Sequence, residues 1–163
     1  MRHAKSSWKE PDAGDFDRPL TPRGRKSARK MGQYLLQNQV QPDLMLVSPA
    51  RRTEETARYV IKALSFPKDQ LRLREEIYEA DLQDLLALLA ECAQAPACVM
   101  LLGHNPGLQE LLQHLVGPLE EVAGKAFPTA TVARLSMPER WSRLGPRSAS
   151  LIECVRPRFL AEP

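Results

Sequence analysis

A chain of 163 residues, 43% hydrophobic and 26% charged, has the ordinary composition of a globular protein and is long enough for one sizeable core. Its net charge of +3 and pI near 8.9 are too weak and too dispersed to mark a nucleic-acid binder, though they suit a small anion. The apolar stretches fall short of a membrane span and the charged, polar start is not that of a signal peptide, so the expectation is a cytoplasmic protein with neither nucleic acid nor membrane as partner.

The chain opens MRHAKSSW, with Arg2 and His3 directly after the first residue and no hydrophobic run ahead of them. Residues 5–20 are polar and turn-rich and read as a long loop. A helix follows in TPRGRKSARKMGQYLLQ, with Thr21 as N-cap, Pro22 at the first helical position and Ala28, Met31 and Leu35 on one face. DLMLVS (43–48) reads as a buried strand. The next helix lies in SPARRTEETARYVIKAL, with Thr53, Ala57, Val60, Ile61 and Leu64 inward.

QLRLRE alternates as a short strand, and DLQDLLALLAECA is a helix capped by Asp81, with Asp84 three residues on. ACVMLLGH (97–104) is the strongest buried strand. NPGLQELLQHLVG is a helix closed by Gly117, with His114 on its surface or a packing edge. TATVARLSM and SASLIECVR are two further strands. Strand and helix alternate through most of the length, which predicts an α/β fold with a largely parallel sheet. Cys92, Cys98 and Cys154 are odd in number and match no zinc spacing, so they read as buried thiols in a reducing compartment.

Two strands end in sharply turning polar segments, Ser48-Pro49 and Gly103-His104-Asn105-Pro106, each taken up by a helix. Ligands bind at the carboxyl ends of strands in such sheets. If Arg2-His3 also ends a strand, Arg2, His3, Arg52 and His104 can converge there, with Arg18 delivered by the long loop and Asn105 as a further substrate-binding candidate. Arginines present planar, permanently charged donors to phosphate oxygens, and a neutral imidazole can attack phosphorus. No P-loop or Walker lysine occurs, so side chains must supply the positive charge. Each residue alone is ordinary; their order along the chain carries the inference.

RHA at the start, RPLTPRG, SPARRTEETA, GHNPGLQELL, AFPTATVARL and IECVRPRFL together resemble the histidine phosphatase superfamily, and within it the SixA-type phosphohistidine phosphatases. The resemblance implies a three-layer α/β/α sandwich like that of phosphoglycerate mutase, as one domain over residues 1–163. It implies that His3 is the nucleophile and becomes phosphorylated, that Arg2 and Arg52, rather than Arg51, contact the phosphate, and that His104 lies opposite His3. Arg18 would close the pocket. No cofactor or metal is expected. The general acid is open: EEIYEADL offers Glu75, Glu76, Glu79 and Asp81, with Glu79 the candidate acid. A phosphoramidate needs no strong acid, since its leaving nitrogen can be protonated before the bond breaks.

The expected substrate is phosphohistidine on a protein, with a small phosphate ester or a non-catalytic phosphate-binding module as alternatives. The start MRH also matches a copper or nickel chelate of terminal amine, two backbone nitrogens and imidazole. The family's buried strand before the Arg-His pair is represented only by Met1, so the first strand is expected to be truncated, leaving residues 1–3 as a stub at the sheet's carboxyl edge.

Overall fold

A computed structural model describes residues 1–8, 14–92, 96–118 and 127–161. Parts of the expected loop (9–13), the last residue of the third expected helix (93) and Ala126 of the AFPTATVARL segment lie outside the described residues.

The elements run α1 (Pro22–Gln37), β1 (Leu44–Val47), α2 (Arg51–Leu64), β2 (Leu71–Leu73), α3 (Leu82–Glu91), β3 (Val99–Leu102), α4 (Gly107–Val116), β4 (Val132–Ser136) and β5 (Ser150–Val155). Their starts follow the local chemistry. Thr21 accepts from the Gly24 amide, and Pro22 costs α1 no hydrogen bond in its first turn. Asp81 and Asp84 form a reciprocal capping box at α3. Gly117 takes φ 103° to end α4, a conformation that a side chain would strain.

β2, β1 and β3 form a parallel sheet in that order, and β4 pairs antiparallel with β5. Side chains alternate across the parallel sheet and divide the core in two. Met45, Val47, Met100 and Leu102 pack with Met31 and Leu35 of α1 and Val60 and Leu64 of α2. Leu46 and Leu101 face the other way, onto Leu85 and Leu88 of α3 and Leu108, Leu111 and Leu115 of α4. The result is the expected three-layer α/β/α sandwich.

Residues 1–3 lie between the two sheets. The Met1 amino group donates to the Leu101 carbonyl (2.7 Å), the Gly103 amide to the Met1 carbonyl (3.2 Å), and the His3 amide to the Gly103 carbonyl (3.0 Å). On the other side the Arg2 amide donates to Thr131 (3.0 Å) and the Ala130 amide to the His3 carbonyl (3.0 Å). Beneath Met1 an apolar cavity of about 550 Å³ opens between β3 and β4, with Val99, Leu101, Val132 and Leu135 in its lining. The copper or nickel chelate does not fit this arrangement. Its amine is buried, with its pKa pushed down to about 5 by desolvation, and the Arg2 and His3 backbone nitrogens are already hydrogen-bonded.

Two glycines permit close approach around this segment. A Cβ at Gly24 would stand 2.1 Å from the Lys5 carbonyl oxygen, and one at Gly103 would stand 2.7 Å from Ile77 Cγ2. Absent side chains therefore let α1 close against the segment after His3, and let the end of β3 close against the 75–77 turn.

Candidate active site

Three segments deliver polar side chains to the carboxyl edge of the sheet. His3 follows the Arg2–Gly103 bridge, Ser48 follows β1, and His104 follows β3. The rings of His3 and His104 lie 5.2 Å apart between centroids, although 101 residues separate them in the chain. α2 begins beside them and supplies Arg52 in its first turn. Thr56, one turn on, ties α2 to the His3 segment: its hydroxyl accepts from the Ala4 amide (3.0 Å) and donates to the Arg52 carbonyl (2.7 Å). Arg52 is buried, and Arg51 is exposed.

Hydrogen bonds assign both imidazole tautomers. His3 Nδ1 lies 2.7 Å from the Ala4 carbonyl oxygen, which can only accept. The proton therefore sits on Nδ1, and Nε2 keeps its lone pair. His104 Nε2 lies 2.8 Å from Ser48 Oγ, which itself accepts from the Ala50 amide at 3.4 Å. Ser48 is fully buried and its hydroxyl has no other acceptor among the described residues, so its proton is directed at His104 Nε2, and the His104 proton sits on Nδ1. That atom is buried without a hydrogen-bond partner among the described residues, as are Arg2 Nε, Arg52 Nε and Thr131 Oγ1. Unpaired buried polar atoms are costly. Three of these, on Arg2, Arg52 and His104, are nitrogens that can donate, an arrangement suited to an oxyanion; Asn105 Oδ1 is unpaired there as well.

The electrostatics agree. Burial above all lowers the His3 pKa to about 4; the Ala4 carbonyl opposes the shift, and Arg52, Arg2 and Arg18 add to it. Burial, His3 and Arg52 lower that of His104 to about 3. Both rings are neutral at pH 7. Their folded pKa values lie below the unfolded value of about 6.5, so the unfolded chain binds more protons between those limits. Their contribution to stability is complete above about pH 6.5 and falls away as the pH drops toward 4. In an NMR titration, the ring resonances missing from His3→Ala and from His104→Ala should hold their neutral positions from pH 8 to about 5. Movement of either with a midpoint near 6.5 would show that the burial is wrongly placed.

The remaining candidates separate by what holds them. Arg2 Nη1 donates to the Phe127 carbonyl (2.9 Å). Asn105 Nδ2 donates to the same oxygen (3.0 Å), so its amide ties α4's approach to the Phe127 segment. Arg18 reaches the pocket rim, donating to Ser7 O (3.0 Å), Ser6 Oγ (2.5 Å) and Asp15 Oδ1 (2.7 Å), with Trp8 stacked against it. Glu79 is exposed, in a left-handed turn at φ 55°. His114 sits at a packing edge, its Nε2 donating to the Leu144 carbonyl oxygen at 3.0 Å.

Asp15 and Tyr78 are absent from the sequence-based candidates. Asp15 Oδ2 accepts from Arg52 Nη2 (2.9 Å) and from the Tyr78 hydroxyl (3.0 Å), while Arg52 Nη1 also reaches the Asp15 carbonyl (2.5 Å). Burial opposes the Asp15 charge, but Arg18, Tyr78 and Arg52 outweigh it and hold its pKa below the ordinary carboxylate value. Asp15 is therefore an anion bound by the pocket's own arginines, and no proton donor at neutral pH. Tyr78 stacks edge-on against both His104 and Phe16 and forms one wall. The only advance signal for Asp15 was its place three residues before Arg18; Tyr78 carried none.

Two neutral imidazoles, one with an open ring nitrogen, and arginines gathered around one pocket are suited to a phosphate-like anion, and the chain belongs to the histidine phosphatase superfamily, whose branch 1 pattern matches residues 1–97. Within that superfamily it is of the SixA type, and it is a phosphatase. The protein assigned as the phosphohistidine phosphatase SixA of Agrobacterium tumefaciens superposes with a TM-score of 0.83 at 28% identity, covering 95% of this chain and 94% of that one. The structure of the protein histidine phosphatase SixA complexed with tungstate gives 0.81 at 25% identity, covering 97% and 95%. An uncharacterised protein of Mycobacterium leprae is 30% identical over 97% of this chain and its own full length. The fold is accordingly that of the phosphoglycerate mutase-like histidine phosphatases.

Proposed function

We propose that the protein hydrolyses phosphohistidine on a partner protein, through a covalent phosphohistidine at His3 and without a metal. The observation that carries this reading is the His3 tautomer: Nδ1–H is held by the Ala4 carbonyl, so the Nε2 lone pair of a neutral ring is free to attack. In the first step the Nε2–P bond forms and the P–N bond to the substrate imidazole breaks, the leaving nitrogen taking a proton from solvent. In the second, water attacks phosphorus, the Nε2–P bond breaks, and inorganic phosphate and a proton are released.

Arg2, Arg52, Arg18 and His104 Nδ1–H stabilise the charge on the phosphoryl oxygens in both steps. Asp15 must yield Arg52 and Arg18 to the incoming phosphate. The SixA neighbour that holds tungstate, an oxyanion shaped like phosphate, supports an oxyanion pocket. We read residues 1–163 as one such domain in the cytoplasm, in keeping with three free thiols whose pKa values are raised by burial.

The test compares leaving groups. Phosphohistidine should be cleaved at least about tenfold more efficiently than simple sugar phosphates, because Glu79 is exposed and Asp15 is ionised, so no acid among the described residues is placed to protonate an alkoxide. EDTA should leave both rates unchanged, since arginines supply the charge. Sugar phosphates cleaved equally well, ester hydrolysis crippled by Glu79→Gln, or activity dependent on added magnesium would each overturn the reading.

A further inference from the structure

A second polar groove, of about 500 Å³, opens beside the phosphate pocket. Lys5, Arg23, Lys26, Lys30, Arg156 and Arg158 line it, together with Ser27, Pro128, Thr129 and Pro157. These are six of the chain's 23 lysines and arginines, and no described lining residue is acidic. The other 17 cations are outnumbered by the 20 acids, so the chain's net charge is positive only with these six counted.

The charge is placed against the local physics. α1 carries Arg23, Arg25, Lys26, Arg29 and Lys30 within its first nine residues and no acid anywhere. Cations in a first turn oppose the helix dipole, and the pairs 25/29 and 26/30 put like charges four apart. Neither arrangement helps the helix form. The groove's position explains them better. Lys5 lies two residues past His3, and Thr129 lies two before Thr131, whose carbonyl accepts from the Arg2 amide. The Val132–Val155 register then sets residues 156–158 beside that segment. Lys5, Thr129 and residues 156–158 therefore lie at the edge of the sheet where His3 sits, and α1 joins them where Gly24 packs on the Lys5 carbonyl.

Its cations are mostly exposed and come from three separate segments, and three of the six are lysines, which act as flexible point charges instead of rigid forks. Such a surface suits a broad acidic face, which it can steer and align, more than a single enclosed ligand. We propose that this groove is the docking surface for an acidic face of the phosphorylated protein substrate, a proposal that rests on the phosphoprotein reading above.

The experiment uses two peptides bearing one phosphohistidine, made with phosphoramidate, one flanked by glutamates and its twin by glutamines. The glutamate peptide should show a kcat/KM at least about tenfold higher at low salt, through KM, and the advantage should shrink as salt screens it. In the double variant Arg23→Glu/Lys26→Glu the advantage should vanish, while hydrolysis of the glutamine peptide and of an aryl phosphate stays within about twofold of wild type. Lys68→Glu, at the opposite end of the sheet before β2, should leave the advantage intact.

The melting temperature of the double variant should not fall, because an acid at position 23 runs with the dipole of the first turn and one at position 26 stands four residues before Lys30. If it does fall, Arg158→Glu carries the same test. Equal efficiency for the two peptides, or an advantage that survives charge reversal, would overturn the docking surface. Should neither phosphohistidine peptide be hydrolysed while the aryl phosphate is, the substrate reading fails by itself. A fluorescein-labelled glutamate peptide without phosphate then decides the groove: binding lost on charge reversal supports it, and no binding to wild type overturns it.

Discussion

His3→Ala is expected to abolish turnover and phosphoryl labelling together, a loss of at least about 10⁴-fold, in the range seen when an enzyme's nucleophile is removed. His104 cannot substitute. Its Nε2 is engaged by the Ser48 hydroxyl and its Nδ1 carries the proton, so it has no free lone pair. Of the two histidines in the pocket, only His3 has one nitrogen pinned as a donor and the other left open. The fold should survive the change, because the residue's backbone contacts to Gly103 and Ala130 need no side chain. The check is mass spectrometry of enzyme quenched during turnover: phosphate on His3 in the wild type and none in the variant. Label on His104 at the wild-type rate would sink the assignment.

Arg52→Ala should reduce kcat/KM by at least tenfold and Arg51→Ala by less than twofold, although the two are neighbours in α2. A charge-assisted hydrogen bond to phosphate is worth about 1.5–3 kcal/mol, and Arg52 brings a buried guanidinium with an unpaired Nε to the pocket. Its charge also helps keep His3 and His104 neutral, so its loss should raise the pKa of both rings. Arg51 instead faces solvent and pairs with Glu55 one turn on (3.0 Å), an exposed helix pair worth about 0.5 kcal/mol or less. Equal losses in the two variants would mean that α2 is rotated by one residue from the register described.

That register was legible in the sequence, because amphipathic periodicity fixes which side of a helix is buried. Thr53, Ala57, Val60 and Leu64 marked the inward face of α2, while the preference for Arg52 over Arg51 came from the family resemblance. The caps were legible for the same local reason: Thr21, Asp81 and Gly117 satisfy or terminate a helix through atoms within a few residues of themselves. Asp15 and Tyr78 were not legible. An aspartate in a polar loop and a tyrosine after a short turn have no period to betray them, and their partners are 37 and 63 residues distant.

Element order, the two-sided strands and the placing of two histidines and several arginines at strand ends could be read from composition and spacing along the chain. Tertiary structure alone decided the protonation of each imidazole and the use of each arginine. The His3 tautomer depends on a local carbonyl, but its neutrality depends on burial against β3 and on guanidinium groups from distant segments. The same holds for Phe127, whose carbonyl fastens both Arg2 and Asn105 and which no motif marked as functional. Proton position and charge are set by the nearest few ångströms in space, and in this site those ångströms are filled by residues from opposite ends of the chain.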